Sequence, residues 1–162
     1  MNLTGQQLVD KGIITGPIEE DNIAQHGVDL NLIKVQRIIG QGTIPAKGKT
    51  ILADREDVEL DEQGFWNLSQ GAYDITLAQG CKIPSNQSMQ IVQRSSLLRN
   101  GSVLRSSLFD AGFYTDNIGT VFIVTVPIRI EYNARVAQIV AQASNEVINT
   151  YDGQWQNDKQ RQ

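Results

Sequence analysis

The run Thr120-Val121-Phe122-Ile123-Val124-Thr125-Val126 constrains the fold of this chain more than any other stretch. All but one of its residues are β-branched, and such side chains lose rotamer freedom in a helix while packing well on a pleated surface. A continuous run of this kind reads as a buried strand. Val28-Asp29-Leu30-Asn31-Leu32-Ile33-Lys34-Val35 adds the alternation of a half-buried strand, with Asp29 on its polar side. Further strand-like segments are Phe65–Leu68, Gly71–Leu77, Met89–Gln93, Ile128–Ile130 and Ala134–Val140. Turn residues separate them: Gly40 and Gly42, Pro45 to Lys49, and Asn133, so 41–50 reads as a loop. Residues 54–64 are acidic and polar and read as a solvated excursion. One helix is well signalled, over 3–12, where Thr4 can cap, Gln7 completes a capping box, Leu3 and Leu8 form a staple and Gly12 stops the helix. Leu97–Gly101 reads as a short helical turn. Many short strands after one short N-terminal helix predict an all-β sandwich or distorted jelly roll. Residues 1–150 read as a single domain, and 151–162, polar with two aromatics, as a mobile tail.

Composition removes several chemistries. At 162 residues the chain can bury a real core, and no apolar run approaches the ~18 residues of a membrane helix. The first residues lack the basic and apolar regions of a signal peptide, and one cysteine, Cys81, suits a reducing cytoplasm. A formal net charge of −4 argues against coating a nucleic-acid polymer. With one histidine, His26, and one cysteine, neither a His/Cys zinc site nor a serine triad with a recognisable nucleophile elbow can be built. No metal-ligating set on the protein is predicted.

What remains is an anion-friendly cluster. Between Arg94 and Ser107 lie Arg94, Arg99, Arg105, Ser95, Ser96, Ser106 and Ser107. Guanidinium forks and hydroxyls match phosphate oxygens geometrically. Asp110, just beyond, could orient a water or a sugar hydroxyl. A polar surface hairpin would have the same composition.

The order of segments resembles the dCTP deaminase and dUTPase superfamily, in its dCTP-deaminase-like branch, over nearly the whole chain. Arg94-Ser95-Ser96-Leu97-Leu98-Arg99 matches that branch's R-S-S-L-x-R, and Asp110-Ala111-Gly112-Phe113 its D-P-G-F with alanine for proline. Pro127-Ile128 through Arg135-Val136-Ala137-Gln138 matches P-I-x-L…R-I-A-Q, and Tyr151 to Gln156 is similar to a C-terminal Y-x-G-K-Y-Q. The resemblance implies a jelly-roll subunit of the dUTPase (β-clip) type, a homotrimer with shared active sites, and a deoxynucleoside triphosphate substrate with Mg²⁺ on its phosphates. Carried over, Arg94, Ser95, Ser96 and Arg99 would hold the triphosphate. Asp110 would sit by the deoxyribose and orient the attacking water. Gln138 would reach the nucleotide, and Tyr151, Gln154 and Gln156 would close over it. Phe113 could stack on base or sugar, or pack in the core; for Trp155, stacking on substrate and docking on a neighbouring subunit both stay open.

One departure bears on the reaction. Deaminases of this family use a glutamate on the strand after D-P-G-F as a general base. Aligned on Gly119, that position is Val124, or Thr125 with a shift of one; neither can act as a base near neutral pH, and no glutamate occurs between Glu62 and Glu131. The resemblance with this change implies a dUTP diphosphatase, giving dUMP and pyrophosphate. Its alternatives are a dCTP deaminase or another triphosphate pyrophosphatase of the same fold, and a non-catalytic trimeric nucleotide-binding protein.

Overall fold

The computed structural model describes residues 3–143 and 149–158. Helix α1 (Gly5–Asp10) is followed by β1 (Ile14–Thr15), β2 (Val28–Ile39), β3 (Asp54–Asp57), β4 (Phe65–Leu68), β5 (Gly71–Leu77), β6 (Gly80–Lys82) and β7 (Gln87–Gln93). Helix α2 (Ser95–Arg99) leads into β8 (Ser102–Leu104), β9 (Leu108–Phe109), β10 (Tyr114–Thr115), β11 (Gly119–Val124), β12 (Ile128–Glu131) and β13 (Arg135–Ala143). The all-β architecture with a short N-terminal helix is as expected. At its start the Thr4 hydroxyl accepts from the Gln7 amide at 3.2 Å and Gln7 Oε1 from the Thr4 amide at 3.0 Å, the reciprocal capping box read from the sequence. Such a cap stabilises a helix by about 1 kcal/mol.

Every strand pair is antiparallel. The main sheet runs β8-β11-β5-β2-β13-β7-β9, with β3 also on β2. Two small sheets, β1-β6-β10 and β12-β4, flank it. β2 is the element that curls the large sheet, because it changes partner along its length. Its first residues pair with β13, Leu32–Arg37 with β5, and Gln36–Ile39 with β3. The core lies inside that curl. Leu30, Leu32, Ile75, Leu77, Ile91 and Ile139 are fully buried, and Leu8 of α1 joins the same cluster. Tyr73 and Phe122, on neighbouring strands, stack with ring centroids 5.7 Å apart.

The solvated excursion expected over 54–64 is in part a strand. Asp54, Arg55, Glu56 and Asp57 form β3, paired with β2. Four charged residues conceal an edge strand from periodicity-based reading, although charge is how natural sheets protect their edges. The segment expected to be a mobile tail is described as far as 158, and there it packs against the turn at 110–116; its last four residues lie outside the described residues. Among the described residues no helix is long and apolar enough to cross a membrane.

Candidate functional site

Strand β9 ends at Phe109 and the chain turns sharply through Asp110, Ala111, Gly112 and Phe113. The Phe113 amide donates to the Asp110 carbonyl at 3.1 Å, and Gly112 holds φ +82°. A positive φ in the third position is what a type II turn demands, and the second position, where proline is favoured, carries Ala111. The alanine therefore leaves the turn intact. Gly112 donates to Ile83 O and Ile83 to Phe113 O, so the turn is tied to the end of the β6 region. Asp110 is exposed while Phe113, three residues on, is buried.

Around this turn lies a cavity of about 450 Å³. Asp110 lines it together with Phe113, Tyr151, Trp155 and, from the sheet, Gly119 and Val121. Phe113 stacks on Phe109 at 5.3 Å and meets the Tyr151 ring edge-on at 5.5 Å. The C-terminal segment completes the wall. The Tyr151 amide donates to Ala111 O at 2.7 Å, Gln156 Nε2 to Gly112 O at 3.0 Å, and the Tyr114 amide to Gln156 Oε1 at 3.1 Å. Gln154 Oε1 accepts from the Thr50 amide at 3.4 Å. The Trp155 amide donates to the Tyr151 hydroxyl at 3.2 Å, which folds the segment back on itself. Of the residues singled out in the sequence, Asp110, Phe113, Tyr151, Gln154 and Gln156 are thus brought together in one neighbourhood.

The second group lies elsewhere on the chain. Arg94 precedes α2, and Ser95, Ser96 and Arg99 are exposed on that short helix while Leu97 anchors it in the core. Met89 of β7 pairs with Phe109, beside the cavity. Arg94 comes five residues later, ~17 Å further at about 3.3 Å per residue of strand. Arg94, Ser95, Ser96 and Arg99 therefore stand toward the end of β7 away from Asp110, whereas Ser107 lines the cavity with Asp110. Val124 is fully buried at the end of β11, outside the cavity.

Gln138 belongs to a third, ionic cluster. Arg94 Nε lies 3.2 Å and Arg135 Nη1 3.8 Å from Asp29 Oδ2, and Gln138 Nε2 donates to Asp29 Oδ1 at 3.1 Å. Simple alternation puts Arg135 and Gln138 on opposite faces and Asp29 on a polar one. Asp29 does face polar partners, but Arg135 and Gln138 fall on the same side. A bulge between Arg135 and Ala137 adds one residue to β13, so both side chains meet Asp29, itself 6% exposed. Arg135 also donates to Asp21 O, and Arg94 Nη1 to Arg135 O at 3.3 Å.

Arg55, which no motif singles out, also stands in the cavity wall. It sits in an acidic run, and only the pairing of β3 with β2 brings it there. Among the described residues no group of three or more His, Cys, Asp or Glu side chains could cage a metal. The polar side chains at these places are arginines, serines and the Asp110 carboxylate.

Comparison with known proteins identifies the family. Residues 3–144 match the family model described as dCTP deaminase-like. The chain is 36% identical over 140 residues to the deoxyuridine 5'-triphosphate nucleotidohydrolase of Methanocaldococcus jannaschii, covering 84% of this chain and 88% of that one. It is 37% identical over 148 residues, 88% of each chain, to the Halobacterium salinarum protein named "Probable deoxyuridine 5'-triphosphate nucleotidohydrolase". The solved 2'-deoxycytidine 5'-triphosphate deaminase from Agrobacterium tumefaciens shares the fold, with a TM-score of 0.69 at 16% identity over 88% of this chain. This chain spans 48% of the length of that one. A match over nearly all of its length, on a fold and motif order of the same kind, makes this chain a member of the dCTP deaminase-like family.

Proposed function

We propose that the protein is a dUTP diphosphatase, cleaving dUTP to dUMP and pyrophosphate. The observation that carries the reading is Asp110, a carboxylate at the mouth of an aromatic-walled cavity large enough for a nucleoside. The curated relatives named as deoxyuridine triphosphate nucleotidohydrolases support it. In this reading the cavity takes the deoxynucleoside, with Phe113 under it and Asp110 beside the sugar and the attacking water. Water adds to the α-phosphorus, Asp110 orients it and draws its proton, and the bond to the bridging oxygen breaks to release pyrophosphate. Arg94, Ser95, Ser96 and Arg99 hold the triphosphate, and Gln138 keeps the arginine end in place through Asp29. Mg²⁺ is carried by the triphosphate, where it would neutralise phosphate charge.

The ~17 Å between Arg94 and the cavity supports a homotrimer in which one subunit supplies the nucleoside cavity and its neighbour the phosphate donors. The described tail, packed by Tyr151, Gln154 and Gln156 onto the cavity rim, acts as the closing strap. The enzyme acts on free nucleotides in the cytoplasm. Deamination of dCTP would require a base where Val124 is buried in the core, and Thr125 beside it donates to Gly101 O. Incubation with dUTP and Mg²⁺ tests the proposal: dUMP and pyrophosphate are expected in equal amounts, and their absence would sink it.

A further inference from the structure

Helix α2 ends at Arg99, and Asn100 and Gly101 turn the chain into β8. The fold calls for glycine at this turn: Gly101 holds φ +73°, and a Cβ there would stand 3.0 Å from Val126 Cγ2. The same glycine leaves the amide nitrogen after Asn100 unshielded by a side chain. Every other asparagine of the sequence precedes a residue with a Cβ. An asparagine followed by glycine is the peptide arrangement most open to intramolecular attack, because the following nitrogen closes a five-membered imide ring without steric hindrance.

In the closed turn, hydrogen bonds hold that attack off. The Gly101 amide donates to Leu98 O at 3.0 Å, the Asn100 amide to Leu97 O at 3.2 Å, and Asn100 Nδ2 to Ser96 O at 2.9 Å. Each acceptor belongs to α2, so the reaction needs the last turn of that helix to open. The helix has five residues, of which Leu97 alone is buried. So short a helix has little stability of its own, and exposed turns of this kind open at small cost.

We propose that Asn100 is a site of spontaneous deamidation, a covalent change at the end of the phosphate-donor helix that a bound triphosphate suppresses. Gly101 N, losing its proton to hydroxide, bonds to Asn100 Cγ, and the side-chain nitrogen departs as ammonia. Water then cleaves one of the two ring carbon–nitrogen bonds. Cleavage at Cγ restores the ordinary backbone as aspartate; cleavage at the carbonyl carbon of residue 100 reroutes it through the side chain as isoaspartate. One water is consumed and one ammonia released.

Either product has a carboxylate where the amide was. A carboxylate has no hydrogen to donate, so the tie to Ser96 O becomes acceptor against acceptor. Negative charge at the carbonyl end of a helix is also unfavourable. The new charge adjoins Arg99, which with Ser95 and Ser96 is assigned to the triphosphate. Isoaspartate in addition lengthens the main chain before Gly101, whose carbonyl accepts from the Thr125 amide at 3.2 Å and from the Thr125 hydroxyl. A triphosphate on Ser95, Ser96 and Arg99 binds the closed helix and so lowers the population that reacts.

This inference takes its ligand from the dUTP reading, and mass mapping separates the two. The full chain is held at mildly alkaline pH with and without α,β-imido-dUTP and Mg²⁺, then digested. Asn100 should become an acid, with isoaspartate among the products, and more slowly with the nucleotide present. Asn100→Gln, whose longer side chain closes the ring poorly, should not convert. Converted protein and Asn100→Asp should bind α,β-imido-dUTP roughly 3- to 10-fold more weakly than the unsubstituted protein, the effect of one screened like charge near the phosphates. An Asn100 that stays an amide, acid formed without isoaspartate, conversion unslowed by ligand, or undiminished binding overturns the assignment. Inorganic tripolyphosphate serves as a second probe: protection by it, in a protein that releases no dUMP from dUTP, upholds Asn100 and rejects the hydrolase reading alone.

Discussion

Arg94 turns its Nε toward Asp29 Oδ2 at 3.2 Å, so the first arginine of the R-S-S-L-x-R run is anchored from within the sheet. Asp29 also receives Gln138 and lies near Arg135, and one carboxylate balances two guanidiniums. Asp29→Ala removes the negative member and leaves both cations facing a nearly buried gap. Breaking a fully buried pair costs about 3–5 kcal/mol. The two arginine side chains are 35% and 32% exposed, so solvent screening lowers the expected loss to roughly 1–3 kcal/mol. Urea unfolding should show the midpoint falling at constant slope, with Asp29→Asn losing less. An unchanged midpoint would mean that the cluster contributes nothing to the fold.

Asp110 makes a sharper kinetic prediction. Its side chain is exposed at the cavity rim, and the turn beneath it is closed by main-chain bonds, so replacement by asparagine keeps the shape. Asp110→Asn should lower kcat by about 10²- to 10⁴-fold, the usual range for a removed base. Binding of α,β-imido-dUTP should persist, because the aromatic walls remain. A variant that turns over dUTP at the original rate would remove Asp110 from the chemistry.

Local signals carried the parts of the fold that depend on local chemistry. The Thr4–Gln7 capping box, the strand over 119–124 and the turn before Phe113 each follow from side-chain type and spacing. Two features that organise the site depend instead on pairing between distant strands. The bulge between Arg135 and Ala137 reverses alternation and collects Arg135 and Gln138 on Asp29, and no residue near 136 announces it. Likewise β3 is charged at every position, and its contribution to the cavity, Arg55, exists only through its register against β2. The motif reading located phosphate-type donors and an acid but not their separation along β7, which is a property of the β7–β9 register.

Gly112 links the turn to the C-terminal segment. A Cβ built there would fall 2.7 Å from Thr150 Cβ, and φ +82° disfavours any side chain. Gly112→Ala should therefore push residues 150–156 off the rim, breaking the Gln156–Gly112 bond and the Tyr151–Phe113 contact. The edge-to-face pair alone is worth about 1 kcal/mol. KM for dUTP should rise by roughly 5- to 10-fold, with Trp155 fluorescence shifting toward that of an exposed indole. Unaltered fluorescence would show that the segment tolerates the extra methyl.

Cys81 provides a pH test of the fold. It is fully buried on β6, and burial pushes its thiol from an ordinary 9.0 up to about 12, against a smaller opposing effect of the Thr115 backbone hydrogen bond. Above pH 9 the unfolded chain releases this proton while the folded protein keeps it. The contribution is therefore intact below about pH 9 and is lost progressively as pH rises toward 12. Between pH 8 and 10.5 the loss from this one group is about 2 kcal/mol. Lysines and tyrosines also titrate there, so the informative quantity is the difference between the unsubstituted protein and Cys81→Ala, in which those groups cancel. That difference, measured by urea unfolding, should shrink or change sign over this interval, and the folded thiol should resist iodoacetamide at pH 8. A difference that stays constant with pH, or rapid alkylation of the folded protein, would mean that the β1-β6-β10 sheet opens far more readily than its packing implies.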